Sequence, residues 1–494
     1  MTHKKRHNSF ARFLTNRITI SALAFCIFTS SSHALNEQEF IQNLLNNQAF
    51  FEKERINLII KAIEMEGDRA AYADWAWEVG AELGRINKSK DKLNYTSSYD
   101  YAKSTNQSVR KINTDLSKKF FSNGSELSIG YDKSWPIKDE QMHDKNGYQE
   151  DKNTTEYLDD IQISWTLPLL KNAGGVVDQK TYDLAVLDYE DEKLVLHEAK
   201  EDFIEEKLMI FIDWSNYKAQ IDLVTERLLR AEKMLKSMQN QNVKRSDLLT
   251  FERSINKSKR QLFDLESKLK AEQKALSVLL KDINIDENPL ELDWTARTPL
   301  IDDLSNYCQN SIRDIQRIKI EKLKNKRYLK TYRNSQLPEI DFTITASRDD
   351  DKGNYTSTSK TTETEYEAKL EFSYPLSGDI ANQVYLDKYQ LKHRQLELKY
   401  QDLFDDILAD TKKLTTKLKQ AQGQLDLINQ QIDTFGWQKS EDELALFLKG
   451  EGSIRFVINE QEDFLDLLLE RVEVLSQYHQ NRVEYNSLLD RLLI

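Results

Sequence analysis

The side chains best suited to chemistry in this sequence are its seven histidines, its two cysteines and the run Asp349-Asp350-Asp351. Clustered imidazoles or thiolates would ligate a metal, and an imidazole beside a hydroxyl or thiol would activate a nucleophile. The spacing supports neither. His143, His197, His393 and His479 show no ligand spacing among themselves, and His3, His7 and His33 fall in the first 34 residues. There is no HExxH, nucleophile elbow or phosphate-cradling Gly-rich loop. The three aspartates lie in a Gly/Ser/Thr-rich stretch between two alternating segments. They read as a solvated surface loop, with a weak calcium or lipopolysaccharide-cation contact as the functional alternative. The residues point to a non-enzyme with no cofactor and no metal site, so the elements themselves must carry the function.

The N-terminus indicates export. Lys4, Lys5, Arg6, Arg12 and Arg17 precede the apolar run Ile18–Phe28, and Ser32-His33-Ala34 fits a small-x-small cleavage site. Residues 1–34 therefore read as a signal peptide. The run is too short to span a bilayer, and no second long apolar stretch follows. Phe25 before Cys26 argues against lipidation there. Cleavage takes the formal charge from −12 to −17, which argues against a nucleic-acid partner. It also leaves only Cys308, so no intrachain disulfide forms. An exported, polar chain without a membrane helix is either soluble or crosses the outer membrane as a barrel, whose short alternating strands escape global hydropathy.

Proline placement organises the rest. The six prolines stand at 136, 168, 289, 299, 338 and 375, leaving 176–288 and 376–494 free for long helices. Leu248, Ile255, Leu262, Leu269 and Leu276 repeat every seven residues; Phe251, Leu265 and Leu279 form the second seam, interrupted by Ser258 and Glu272. Leu414, Leu418, Ala421, Leu425, Ile428 and Ile432 step by four and three. A helix from Val176 to Gln239 would run ~96 Å at 1.5 Å per residue.

Strands precede each helical tract. Ile161, Ile163, Trp165 and Leu167 alternate with polar residues, as do Ile340, Phe342, Ile344 and Ala346, then Ala368, Leu370, Phe372 and Tyr374, and also Leu127, Ile129 and Tyr131. A soluble sandwich would alternate as well. These few strands cannot build one alone, whereas a barrel shared between chains places lipid on the apolar face and water on the other.

The order of elements repeats. Thr166-Leu167-Pro168-Leu169 corresponds to Ser373-Tyr374-Pro375-Leu376, and Leu248–Glu252 to Val457–Gln461. We expect a signal peptide (1–34), a first repeat (35–300) and a second repeat (301–494), each reading helix, strands, long helix, returning helix. Ile56–Tyr72 feeds a strand at Trp75–Ile86, and Ile312–Arg333 one at Pro338–Arg348. The first repeat adds a hairpin at about 112–135 around Asn123-Gly124, which either extends the barrel or sits above it. The fold class is mainly α with a membrane β-barrel portion.

Over essentially the whole mature chain these features resemble the TolC family of outer-membrane efflux proteins. Leu167-Pro168-Leu169-Leu170-Lys171-Asn172-Ala173-Gly174-Gly175 looks like that family's strand-to-helix junction, and Pro375-Leu376-Ser377-Gly378 like its second copy. Lys449-Gly450-Glu451-Gly452-Ser453 followed by Val457–Gln461 looks like the far helical tip, with Arg245–Leu249 and Glu252 as the first-repeat counterpart.

The resemblance implies a homotrimeric channel-tunnel in the cell outer membrane, with outer-membrane lipid around the barrel and helices extending into the periplasm. Its implied partners are a periplasmic adaptor (membrane fusion) protein and an inner-membrane pump or ABC exporter. The channel would conduct passively for efflux or type I secretion, and the pump would choose a drug, metal or polypeptide cargo. Implied tip residues are Asp247, Glu252, Gly452, Arg455 and Glu460; Ile458 and Asn459 stand where an aspartate would be looked for. Lipid-facing positions would be Ile161, Ile163, Trp165, Ile340, Phe342, Leu370 and Phe372. The rival readings are a soluble periplasmic coiled-coil adaptor or scaffold, and a secreted filament.

Overall fold

The computed structural model describes residues 36–47, 49–92, 101–144, 149–241, 243–280, 292–355, 357–375 and 380–493. The expected signal peptide and Gly378 lie outside these residues. The described part of the first half contains α1 (Glu37–Asn47), α2 (Ala49–Ala73), β1 (Ala76–Lys92), β2 (Tyr101–Lys119), β3 (Glu126–Ser134), β4 (Ile137–Asp144), β5 (Gln149–Pro168), α3 (Lys180–Gln239) and α4 (Arg245–Leu279). The second half repeats the order with α5 (Leu304–Ser311), α6 (Arg313–Ser335), β6 (Glu339–Tyr355), β7 (Ser357–Ser373), α7 (Ile380–Phe435), α8 (Gln438–Leu448) and α9 (Ile454–Leu488). None of the described helices is long and apolar enough to cross a membrane.

Helix ends follow their local chemistry. Asn36 and Glu39 form a reciprocal capping box: the Glu39 N–H donates to Asn36 Oδ1 (2.9 Å), and the Asn36 N–H to Glu39 Oε2 (3.1 Å). Asp303 caps α5 by accepting the Asn306 N–H (3.1 Å). α8 ends in a Schellman motif, with Gly450 at φ 84°, Glu451 N–H donating to Leu446 O and Gly450 N–H to Phe447 O. Gly452 is needed next: an added Cβ would lie 3.0 Å from Phe447 N.

The chain divides into two compact units. One contains the described part of 1–47 with Glu206–Arg297 and Ala421–Gln480; the other contains Gln48–Glu205, Thr298–Gln420 and Asn481–Ile494. The core of the first interleaves Leu228 and Met238 of α3, Phe251 and Ile255 of α4, and Val457 and Leu465 of α9. Phe251 and Ile255 are seam positions expected from the heptads, as are Leu265 in the same cluster and Leu248 and Leu262 packed against it. Ser258 is buried in that seam, and its hydroxyl finds the Ser254 carbonyl (3.4 Å), so the interruption costs no unsatisfied donor. Leu414, Leu418, Ala421, Leu425 and Ile428 are all buried on α7.

The second unit holds a single antiparallel sheet in the order β1-β2-β3-β5-β6-β7, with β4 also between β2 and β5. The expected hairpin therefore adds strands to this sheet. Asn123-Gly124 does fall in its turn, but the loop spans Phe120–Ser125, closed by Phe120 N–H to Ser125 O (2.7 Å). Asp349-Asp350-Asp351 corrects an expectation: the run lies inside β6, paired with Asp160, Asp159 and Leu158 of β5, and is not a loop. The ladder partners on both sides override the loop-like composition. In the same unit Tyr328, Tyr332, Tyr385 and Tyr389 stack between α6 and α7, with Tyr328–Tyr389 centroids 4.4 Å apart.

Candidate functional site

Register turns the alternation of single strands into one two-faced surface. Directly paired residues of an antiparallel sheet share a face. Trp77 pairs with Leu116, Leu116 with Ile129, Ile129 with Ile163, Ile163 with Ala346 and Ala346 with Tyr366. A neighbouring row runs Leu127, Trp165, Ile344, Ala368, and the next runs Leu167, Phe342, Leu370. Ile340 opposite Phe372 completes it. Every candidate lipid-facing residue thus lies on one face. Many are open to solvent in the single chain: Trp77 at 72 %, Tyr366 at 81 % and Phe372 at 67 %. Trp165, Phe342 and Ile340 are half-buried.

The opposite face is polar and acidic. One cross-strand row reads Asp132, Asp160, Asp349, Glu363. Like charges directly opposite one another weaken a sheet, so the row marks a surface built for something other than stability. The described part holds one compensating cation nearby, Lys111, 2.8 Å from Asp132.

At the strand-to-helix junction Pro168 ends β5 opposite Asp341. Asn172 enters the left-handed region (φ 63°). Its N–H donates to Asn334 Oδ1 (2.7 Å), and its Oδ1 accepts Val177 N–H (2.9 Å) and Asp178 N–H (3.2 Å). Gly174 and Gly175 both have positive φ, and a Cβ on Gly175 would strike Phe121 O in the hairpin turn. In the second repeat Pro375 is exposed.

Among the described residues, none of the five tip candidates hydrogen-bonds or ion-pairs with another, while their neighbours Phe251, Ile454 and Val457 share one core cluster. Asp247 lies in the first turn of α4. Glu252 is half-buried. Glu460 is neutralised by Lys439 (2.9 Å). Arg455 is exposed, its N–H donating to Ser453 Oγ (3.3 Å). Gly452 serves the turn described above.

Two ionic clusters escaped the sequence. In the first unit Arg227 is 1 % exposed and sits 3.7 Å from Glu462, which also meets Lys257 (3.2 Å). Burial holds its guanidinium below the ordinary value, against the pull of Glu462 and Asp466. Arg230 lies over the Trp437 ring (5.3 Å) and 3.5 Å from Glu441. In the second unit Arg313 meets Glu198 (3.0 Å), Glu201 (2.7 Å) and Asp490 (2.9 Å). Burial drives the Asp490 carboxyl up to about 7, with Glu198 and Glu201 adding to the rise and Arg313 opposing it. Nothing local in sequence signals either cluster, because the partners come from distant segments.

The histidines remain apart. His393 lies 3.6 Å from Glu397, and His479 is buried against Trp294. Among the described residues no three His, Cys, Asp or Glu are placed to hold a metal.

The fold defined by this sheet and these helices is that of solved outer-membrane channels. The chain matches CusC, solved in work on transmembrane channel formation, at TM-score 0.59 and 11 % identity, covering 94 % of this chain and 95 % of that one. It matches the outer-membrane channel OprN at 0.60 and 9 %, covering 92 % and 89 %. It matches the outer-membrane protein VceC of Vibrio cholerae at 0.59 and 9 %, covering 93 % and 97 %. By sequence, no family model and no curated protein matches the chain.

Proposed function

We propose that the chain is the outer-membrane channel of a tripartite efflux or type I secretion system. The observation that carries this reading is the two-faced sheet: its six-strand-wide order puts every alternating apolar position on one side and an acidic row on the other. Such a sheet suits a barrel wall between lipid and water. Among the described residues, β1 and β7 each have one unpaired edge. Edges of this length invite pairing with another chain. Three copies, β7 of one against β1 of the next, close the barrel in this reading. The long helices then extend into the periplasm to meet an adaptor, and an inner-membrane transporter drives transport through a passive duct. The overlap with channels of known structure supports this reading over a soluble adaptor or scaffold.

Fractionation tests it. The chain goes with outer membranes and is released only by detergent. Recovery in the soluble periplasmic fraction would favour the scaffold reading, and recovery in the medium a filament.

A further inference from the structure

β3 and β4 behave as one strand interrupted only in its ladder. Lys111 pairs with Ser134 and Ser108 with Ile137, so register passes unbroken across Trp135-Pro136. Pro136 has no N–H to give, which is why the ladder breaks there. Trp135 N–H donates to Arg110 O (2.7 Å), and Glu156 N–H to Pro136 O (3.1 Å). Register therefore lines up Leu83, Arg110, Trp135 and Tyr157 in one row, on the same face as Trp77 and Ile163. Around this row lies a groove of about 510 Å³, flanked by Ile112 and Ile137.

The charges here are unbalanced. Arg85 pairs with Ser108, which makes it a diagonal neighbour of Arg110, about 7 Å away by sheet geometry. Among the described residues neither Arg85 nor Arg110 has a carboxylate partner. Four neighbouring cations do: Lys111 has Asp132 (2.8 Å), Lys133 has Asp159 (2.9 Å), Lys138 has Glu156 (3.5 Å) and Arg348 has Asp350 (3.8 Å). Arg110 stands beside Trp135 in this row, and Arg85 lies two residues along β1 from Leu83 on the same face. Their planar forks match phosphate oxygens. Aromatic side chains with one wet edge suit the polar boundary of a bilayer.

We infer that Arg85, Arg110 and Trp135 form a binding site for the phosphate-bearing headgroup of a membrane lipid, whose acyl chains lie along Leu83 and Ile112. The inference rests on the outer-membrane reading above, which places this face in lipid. The apolar groove asks for an amphiphile and the free arginines for an anion, so a phospholipid meets both demands.

Native mass spectrometry of the full chain, purified in detergent, tests the site. The probes are phosphatidylglycerol, a neutral diacyl glycolipid with the same acyl chains, and inorganic phosphate. Phosphatidylglycerol is retained over the glycolipid. Arg85→Gln and Arg110→Gln each weaken that retention about fivefold. Lys138→Gln, on the opposite face and outside the groove, leaves it unchanged. Equal retention of the two lipids, or wild-type retention by the arginine variants, overturns the site. Full competition by inorganic phosphate overturns the lipid as its ligand. A chain that inserts and conducts but does not discriminate loses this inference alone. A chain that never enters membranes loses the outer-membrane reading and this one with it.

Discussion

Arg313 grips Asp490 twice: its guanidinium lies 2.9 Å from one carboxylate oxygen, and its own backbone N–H, at the start of α6, donates to the other. Asp490 holds a left-handed backbone (φ 56°), a costly conformation for a residue other than glycine. The same knot fixes the chain end. Tyr307 OH donates to Leu489 O (2.9 Å), and Leu493 N–H to Glu201 Oε1 (3.3 Å).

This knot carries a pH dependence. Asp490 is raised from 3.8 to about 7 when folded, so the folded state holds the proton more tightly than the unfolded one. Stability is then highest below the unfolded value and falls as pH rises from about 4 to 7, by at most about 4 kcal/mol for this group. Glu198, Glu201, Asp202 and Glu205 are raised by burial in the same direction. Hydrogen exchange at residues 489–493 speeds up between pH 5 and 8 beyond the intrinsic base catalysis. Asp490→Asn flattens that extra dependence; an unchanged profile in the variant would assign it elsewhere.

Gly175 sets the junction. Its φ of 67° and its approach to Phe121 O leave no room for a side chain. Gly175→Ala costs about 2 kcal/mol or more, a combination of backbone strain and displacement of the hairpin turn. Gly174→Ala, with the same handedness but open space around the Cβ, costs less. Thermal unfolding of the two variants measures the difference.

The pair of buried Arg227 and half-buried Glu462 is asymmetric in its consequences. Glu462→Gln strands a guanidinium that is 1 % exposed and costs about 3 kcal/mol. Arg227→Leu, which removes the charge and keeps the bulk, costs less. Denaturant midpoints that rank the two the other way round would show that the arginine itself, not its compensation, stabilises the helices.

A single charge distinguishes the two faces of the sheet. Ile163→Lys places an ammonium on the apolar face and lowers the stability of the inserted barrel by about 2–4 kcal/mol. Gln162→Lys, one residue away and on the polar face, is tolerated. Equal effects on folding into lipid vesicles would mean that the faces are not lipid and water.

Much of this was legible from period alone. Alternation in Ile161–Leu167 and Ile340–Ala346 assigned the apolar face correctly, because a strand has only two sides. The seam from Leu248 to Leu276 and the turn glycines near 450 also carried local signals. The aspartates of β6 did not. Their neighbours Lys352, Gly353 and Asn354 have loop composition, and only the partner strand β5 and the hairpin with β7 hold them in a sheet. The Arg313 and Arg227 clusters join residues far apart in sequence, in a chain so rich in charge that no spacing singles them out. Of the tip candidates, Glu460 was named in sequence as a tip acid, and its pairing with Lys439, from a different helix, carried no local signal.

The central claim is that the sheet's acidic face lines a water-filled pore, and ion selectivity in planar bilayers tests it most directly. With a salt gradient across the membrane, confined carboxylates favour cations. The purified chain gives stable channels whose reversal potential shows cation preference, and Asp160→Asn with Asp349→Asn reduces it. Channels that prefer anions, or a purified chain that forms none, would contradict the account.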